Sequence, residues 1–210
     1  MRVVIFGPPG SGKGTYASRL TQKLGVPHIS TGNLVREEIR NNTPLGKTIE
    51  NYSNSGALVP DDVITEILKN RISAEVSKGF ILEGYPRTVN QAKALERITK
   101  LDAVVNLGVP DDLIVARLSA RLQCRACGEI YNERTLKPKI SGKCDKCDGE
   151  LYRRVDDQPE VIRERLKVYR EASEPVVEFY RAKSILKNIR NDDANADPDS
   201  VAQQILEAIS

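Results

Sequence analysis

A short β-branched and aromatic run, Val3-Val4-Ile5-Phe6, breaks directly into Gly7-Pro8-Pro9-Gly10-Ser11-Gly12-Lys13-Gly14-Thr15. A strand, a glycine-rich turn, a lysine, a hydroxyl and then a helix-like stretch from Tyr16 to Leu24 form the layout of a phosphate-binding loop. In such a loop the backbone N–H groups point inward and wrap a polyphosphate, and the following helix adds its positive N-terminal end. Side chains would block that approach, so glycines line the turn. Gly10, Ser11, Gly12, Lys13, Gly14 and Thr15 are therefore the candidate cradle, with Lys13 as a mobile charge for the β- and γ-phosphates. The hydroxyl comes from Thr15 rather than from the residue directly after the lysine, a departure from the commonest spelling. A glycine-rich turn without a ligand is the competing reading, and the order of strand, glycines, lysine and helix weighs against it.

The same alternation of apolar β runs and helical periods continues along the chain. Pro27–Ser30 reads as a second strand, with helices over Thr31–Asn42 and Leu45–Ser53. Asp61-Asp62 opens a helix through Ile64, Ile67, Leu68, Ile72 and Val76, spaced by three and four. Phe80–Glu83 is a third strand, Val89–Lys100 a helix, and Ala103–Val109 a fourth strand, nearly all apolar as buried parallel strands are. A helix from Pro110-Asp111 to about Leu122 follows. Past residue 151, Asp157 and Glu160 resemble a capping box for a helix to about Ala182. Ile185–Arg190 is the last expected strand and Pro198–Ile209 the closing helix. Strands alternating with helices predict an α/β, three-layer fold around a five-stranded parallel sheet.

Composition narrows the function classes. At 210 residues, 40% apolar and 29% charged, the chain reads as an ordinary globular protein with a sizeable core. A net charge of +3 is too mild to make nucleic acid the main partner. No stretch approaches the roughly 18 apolar residues of a membrane span, and Met1–Phe6 is too short for a signal-peptide core, so a cytoplasmic location is expected.

Between Cys124 and Leu151 the helical period stops. Cys124-x-x-Cys127 is followed sixteen residues later by Cys144-x-x-Cys147, a spacing within the window for zinc sites. Each Cys-x-x-Cys turn can place two thiolates on one ion, and two such turns close a tetrahedral structural site. Gly128 and Gly149 stand where these knuckles need turn residues. Reduced thiols without metal and a catalytic metal are the alternatives. Four thiolates leave no open position for catalysis. A nucleic-acid-binding ribbon is a further alternative, given Lys137, Lys139, Lys143 and Lys146, but no aromatic series accompanies these lysines.

Arginines stand beside the structural breaks: Arg36, Arg87, Arg121, Arg154 and Arg165. Each offers planar bidentate donors suited to phosphate. Arg87 closes Glu83-Gly84-Tyr85-Pro86-Arg87 at the C-terminal edge of a parallel strand, where ligands sit in open α/β sheets. Glu83 itself is a candidate for the magnesium shell, with a cap or salt-bridge carboxylate as the alternative. His28, the lone histidine, is read as structural.

Taken together, Gly7–Thr15, Ile29-Ser30-Thr31-Gly32, Arg36, Gly56–Asp61, Gly84–Arg87, Gln91, Arg121, Arg154–Asp157 and Arg165 resemble the adenylate kinase family over the full length of the chain. The four-cysteine insert resembles the zinc-bearing lid of its long forms. The resemblance implies reversible, magnesium-dependent transfer of the ATP γ-phosphoryl group to AMP, giving two ADP. It implies a core (1–29, 60–120 and 158–210), an AMP-binding segment (30–59) and a zinc-binding lid (121–157). By position, Gly10–Thr15, Arg121, Ile130 and Tyr131 would contact ATP. AMP would be held by Thr31, Arg36, Ala57, Leu58, Val59, Gly84, Tyr85, Pro86, Arg87 and Gln91, with Arg154 and Arg165 reaching the transferring phosphates. The implied catalytic set is Lys13, Arg87, Arg121, Arg154 and Arg165, with Mg2+, and Zn2+ on Cys124, Cys127, Cys144 and Cys147. Two positions depart from the family pattern: Asn33 and Glu83 stand where aspartates are usual. The loop Asn191–Asp199 does not match the usual adenine-contacting turn.

A phosphate acceptor is already ionised at neutral pH, so no general base is required. Alignment, charge compensation and exclusion of water by a closing lid remain as the catalytic tasks. A monomer without nucleic-acid or membrane partners is expected. A kinase for UMP or CMP, a GTP-using kinase, and an ATP-gated nucleic-acid-binding protein are the competing functions.

Overall fold

The computed structural model of the chain describes residues 1–75, 78–193 and 196–210, with backbone alone over 73–75. In chain order the first elements are β1 (Arg2–Phe6), α1 (Lys13–Leu24), β2 (His28–Ser30), α2 (Thr31–Arg40), α3 (Pro44–Ser55), α4 (Asp61–Glu75), β3 (Phe80–Glu83), α5 (Val89–Ile98), β4 (Ala103–Gly108) and α6 (Asp111–Ser119). Then come β5 (Arg121–Cys124), β6 (Ile130–Asn132), β7 (Leu151–Tyr152), α7 (Pro159–Val168), α8 (Glu174–Arg181), β8 (Leu186–Arg190) and α9 (Pro198–Ile209). Val76, expected to end the α4 stripe, and residues 194–195 of the last loop lie outside the described residues.

Five strands form one parallel sheet in the order β2-β3-β1-β4-β8. Alternation along β1 explains the three layers. Val4 and Phe6 face one side with Phe80, Leu82 and Val104, against Val35, Leu68, Leu95 and Val176 from the helices of that side. Val3 and Ile5 face the other with Ile81 and Val105, against Leu20 of α1 and Ile205 of α9. Buried on both faces, these strands are continuous apolar runs rather than half-polar ones. From β1 the chain fills β2 and β3 on one side, then β4 and β8 on the other. The C-terminal end of β1 therefore opens into the crevice where strand order reverses, and the glycine-rich loop sits there.

The four-cysteine region is a small module of its own, with β5 central in an antiparallel sheet of order β6-β5-β7. Its core is Cys124, Tyr131, Cys144 and Leu151. Among the described residues, no helix is long and apolar enough to cross a membrane.

Four local expectations are corrected. The helix after Pro110 ends at Ser119, not near Leu122, because Arg121, Leu122 and Gln123 pair with Asn132, Tyr131 and Ile130 as a strand. The capping box at Asp157 does not form. Gln158 is the N-cap, Pro159 opens the helix, and the Asp157 carboxylate is engaged by Arg121 and Arg165. The helix expected to reach Ala182 is interrupted by a π-helical turn at Tyr169–Ser173. Pro175 has no N–H to donate back to Glu171, and the Glu174 N–H reaches Tyr169 O instead. At the second knuckle, it is Asp148 that takes positive φ (56°), while a Cβ on Gly149 would lie 2.8 Å from Cys124 Sγ.

Helices α2 and α3 form a tight hairpin. Thr43 caps α3 by accepting from Gly46 N–H at 2.9 Å. A Cβ on Gly46 would lie 2.1 Å from Glu38 O and 2.5 Å from Glu38 C, both backbone atoms that cannot step aside. Gly46→Ala is expected to cost about 2 kcal/mol or more and to lower Tm by roughly 4–8 °C. Gly25→Ala, at a helix C-cap with nothing within 4 Å, should cost only its left-handed backbone, about 1 kcal/mol. Thermal denaturation of both variants checks the difference.

Candidate active site

The loop after β1 is shaped by its glycines. Gly10 and Gly12 take φ of 79° and 93°, and a Cβ on Gly12 would lie 2.7 Å from the Tyr16 ring. Lys13 opens α1 and folds back, its Nζ donating to Gly7 O at 2.8 Å and Pro8 O at 2.7 Å. Burial, with Arg87, Arg165 and Arg121 nearby, lowers the Lys13 ammonium to about 7, against the opposing pull of Glu83. A group so placed gains its full charge when an anion arrives.

Seven cations line one cleft above this loop: Lys13, Arg36, Arg87, Arg117, Arg121, Arg154 and Arg165. Two aspartates hold three of them. Val155–Asp157 is a 3-10 turn that aims Asp156 and Asp157 inward. Asp157 receives Arg121 through both carboxylate oxygens, with Nε at 2.8 Å. Asp156 receives Arg154 in the same bidentate way, again with Nε at 2.8 Å. Arg165 Nη1 bridges the two, 3.0 Å from Asp156 Oδ2 and 3.4 Å from Asp157 Oδ1. Burial works against ionisation of Asp156, yet Arg154 and Arg165 hold its carboxyl well below the usual range. Arg36 is lowered to about 9 and Arg121 to about 10, first by burial and then by Arg154. Arg87 is fixed from the sheet edge, Nε donating to Gly84 O at 2.8 Å.

Glu83 ends β3 inside the cleft. Burial would raise its carboxyl, but the hydrogen bond and charge of His28, then Lys13 and Arg36, hold it at about 2. His28 Nε2 lies 3.1 Å from Glu83 Oε2. The ring sits one strand away and two residues out of register, so both side chains share a face.

The four-cysteine module covers the cleft. Ile130 and Tyr131 line it. Arg40 of α2 donates to Arg125 O at 2.8 Å, and Lys146 Nζ meets Glu129 Oε2 at 2.6 Å and Ser18 Oγ of α1 at 3.1 Å. Cys124, Cys127, Cys144 and Cys147 place their sulfurs within 4.8 Å of one another, with closest pairs of 3.5 and 3.6 Å. A zinc–sulfur bond of about 2.3 Å implies tetrahedral S···S edges of about 3.8 Å, so the cluster fits such an ion. Tyr131 has a second attachment here: its hydroxyl accepts from Asp145 N–H at 2.7 Å and lies 3.6 Å from Cys144 Sγ.

Of the residues singled out from sequence, Gly10, Gly12, Gly14, Thr15, Leu58, Gly84 and Tyr85 also line the cleft. Others stand behind it. Ser11 is fully buried, and Thr31 donates to Glu83 O at 3.3 Å. Ala57, Val59 and Pro86 are not among the lining residues. Gln91 uses both ends of its amide inside the protein, donating to Asp61 Oδ1 at 2.6 Å and accepting from Arg87 N–H at 2.7 Å. Sequence reasoning did not reach the His28–Glu83 pair, the arginine-holding role of Asp156 and Asp157, or Arg117 and Tyr16, which also line the cleft. Two adjacent aspartates, with one residue between them and Arg154, were the available signal for the second of these.

Residues 5–185 match the family described as adenylate kinase. The chain is 49% identical to the adenylate kinase of Thermosipho melanesiensis, over 100% of this chain and 99% of that protein. It is 47% identical to the adenylate kinase of Thermosipho africanus over the same shares, and 45% identical to that of Archaeoglobus fulgidus over 98% of this chain and 96% of the relative. With a phosphate-binding loop, a converging set of cations and full-length similarity of this order, the chain belongs to the adenylate kinase family.

Proposed function

We propose that this protein transfers the γ-phosphoryl group of ATP to AMP, reversibly, by aligning two phosphates in a cation-lined cleft without a general base. The observation that carries this reading is the convergence of Lys13 and six arginines on one cleft at the end of β1. In the proposed arrangement Gly10–Thr15 cradle the donor phosphates. Arg36 and Arg87, with Leu58, Gly84 and Tyr85, hold AMP on the 30–59 side. Thr31, Ala57, Val59, Pro86 and Gln91 support that side from behind. Arg121, Arg154 and Arg165 compensate the charge on the group in flight, a task worth about 10²–10³ in rate per donor at comparable sites. Residues 121–157 act as a lid, with Ile130 and Tyr131 toward the donor, and residues 1–29, 60–120 and 158–210 form the core. Covering the cleft keeps water from competing as acceptor.

Magnesium, when bound, offsets charge on the β- and γ-phosphates. The donors present fit a hard cation: the Glu83 carboxylate and the Thr15 hydroxyl both line the cleft beside Lys13. For the cysteines a structural zinc is the proposed occupant. Left to themselves the thiols do not ionise together. Burial and neighbouring cysteines push Cys127 up to about 12. Burial also opposes ionisation of Cys144, but the Tyr131 hydroxyl and backbone N–H groups draw it down to about 6. A divalent ion removes that conflict.

Steady-state assays across AMP, GMP, CMP and UMP with ATP and GTP should give turnover dominated by ATP with AMP. Comparable turnover with UMP would sink the AMP assignment. Lys13→Met should lower kcat by about 10²–10³ with the fold intact by circular dichroism. A second expectation concerns protons. Unliganded Lys13 is half-charged near pH 7 and fully charged beside phosphate, so nucleotide binding should take up a proton above pH 7. Calorimetry of ATP binding at pH 8 in buffers of different ionisation enthalpy should detect this uptake, and Lys13→Met should abolish it. Finally, chelation should remove one zinc per chain and lower Tm first. At low temperature the chelated, still-folded enzyme should keep turnover; its complete loss there would contradict a purely structural metal.

A further inference from the structure

Few carboxylates reach the cleft. Among the described residues its lining contains two, Glu83 and Glu129. Glu129 is occupied, its Oε2 2.6 Å from Lys146 Nζ and 3.3 Å from Ser18 Oγ. Asp156 and Asp157, just beyond, are bound by arginines. Asn33 brings no charge; its Oδ1 accepts from Arg36 Nη2 and, at 3.4 Å, from Gln123 Nε2. Glu83 is thus the cleft carboxylate with neither a lysine nor an arginine in its salt bridge, and the group it does meet is His28 Nε2 at 3.1 Å.

That contact is built to orient. His28 comes from β2 and Glu83 from β3, adjacent strands paired His28↔Ile81 and Ser30↔Glu83, so the backbone fixes both Cα positions. Glu83 lies at the start of α1: a Cβ on Gly14 would fall 3.2 Å from Oε2 and 3.7 Å from Oε1. A glutamate has one more rotatable bond than an aspartate, and holding its carboxylate in one place costs rotamer freedom that a neighbouring donor can offset. With Nε2–H donating to Oε2, Oε1 is left for another partner.

We propose that His28 is a positioning residue: its Nε2–H holds the Glu83 carboxylate at the mouth of the phosphate-binding loop, and so sets how well the enzyme uses the divalent cation of its nucleotide. The inference rests on Glu83 serving that cation, as proposed above. Orienting partners of metal-facing groups are typically worth 10–100-fold in metal affinity.

The test compares His28→Leu, His28→Asn, His28→Gln and Glu83→Gln. The readouts are Mn2+ binding to the ADP complex, followed by electron paramagnetic resonance, together with the Mg2+ activation constant, kcat and the KM for AMP. Leucine removes the donor, the short asparagine amide does not reach Glu83, and the glutamine amide restores a donor near the Nε2 position. His28→Leu and His28→Asn should weaken Mn2+ binding and raise the Mg2+ constant about tenfold, with the KM for AMP changed less than about twofold. His28→Gln should recover most of the metal affinity. Should His28→Leu misfold, His28→Asn carries the same expectation. Unchanged metal binding in His28→Asn, with weakened binding in Glu83→Gln, overturns the role of His28 and leaves that of Glu83 standing. Unchanged metal binding in Glu83→Gln overturns both. Equal shifts in the Mg2+ constant and the KM for AMP would mean general damage and also overturn the positioning role.

Discussion

Asp156 and Asp157 hold three arginines within reach of one another, and most of what the cleft can do depends on that arrangement. Two unit charges 4 Å apart interact by about 4 kcal/mol near a protein surface, so seven cations around one cavity repel strongly. Bidentate pairing of Arg121 and Arg154, with Arg165 bridging, converts part of that repulsion into geometry. Guanidinium groups suit the task because each keeps donors free after engaging one carboxylate. The compensation is incomplete. Among the described residues, Asp156, Asp157, Glu83 and Glu129 stand against Lys13, Arg36, Arg87, Arg117, Arg121, Arg154 and Arg165. The remaining positive charge is what a pair of phosphorylated substrates would neutralise, and it adds to burial in lowering the Lys13 ammonium.

The same aspartates tie the four-cysteine module to the core. Arg121 begins β5, the central strand of that module, and Asp157 lies at the return to α7. Their ion pair therefore joins the two crossings of the chain between the units. Beyond this hinge the module is held by contacts at its far end: Lys146, inside the second Cys-x-x-Cys knuckle, against Ser18, and Arg125 O, inside the first, against Arg40. An ion on the four sulfurs would thus order both knuckles that touch the rest of the protein. Each of these contacts is an exposed polar bond of modest strength. Weak contacts at the tip and a stronger pair at the base support the proposal that the module acts as a lid.

The elements that organise the fold were legible because their signals are local. β3 over Phe80–Glu83 and α9 over Pro198–Ile209 match the sequence reading residue for residue. The parallel sheet follows from apolar runs separated by helical periods. What was not legible is where a local pattern has two uses. Asp157 followed by Glu160 has the form of a cap, but the carboxylate was claimed by Arg121, whose strand pairing cannot be seen from either segment alone. The period from Ile114 through Leu118 to Leu122 reads as one helix until a partner strand appears. The cleft cations were recognisable as a set, since arginine beside structural breaks suggests phosphate. Their order was not, because which arginine faces which aspartate is decided by tertiary packing. Gln91 shows the same limit: its amide fastens the Arg87 backbone to Asp61, a contact that no local pattern announces.

Asn33 and Glu83, the two departures from the family pattern, have related consequences. A carboxylate at position 33 would pair with Arg36, whose Nη2 already meets Oδ1 of the asparagine. The neutral amide accepts that hydrogen bond without cancelling the charge, so Arg36 stays available to an anion despite its burial. The cleft then contains one carboxylate fewer, which leaves Glu83 as the carboxylate for the cation proposed above. A longer side chain there would be a liability if it were loose, since Lys13 is close enough to interact with its charge, and a Lys13–Glu83 salt bridge would withdraw both groups from substrate. Lys13 is instead held by two carbonyls of its own loop, and Glu83 by a histidine from the next strand. The two groups with most reason to neutralise each other are kept apart by separate partners, and each remains free for what enters between them.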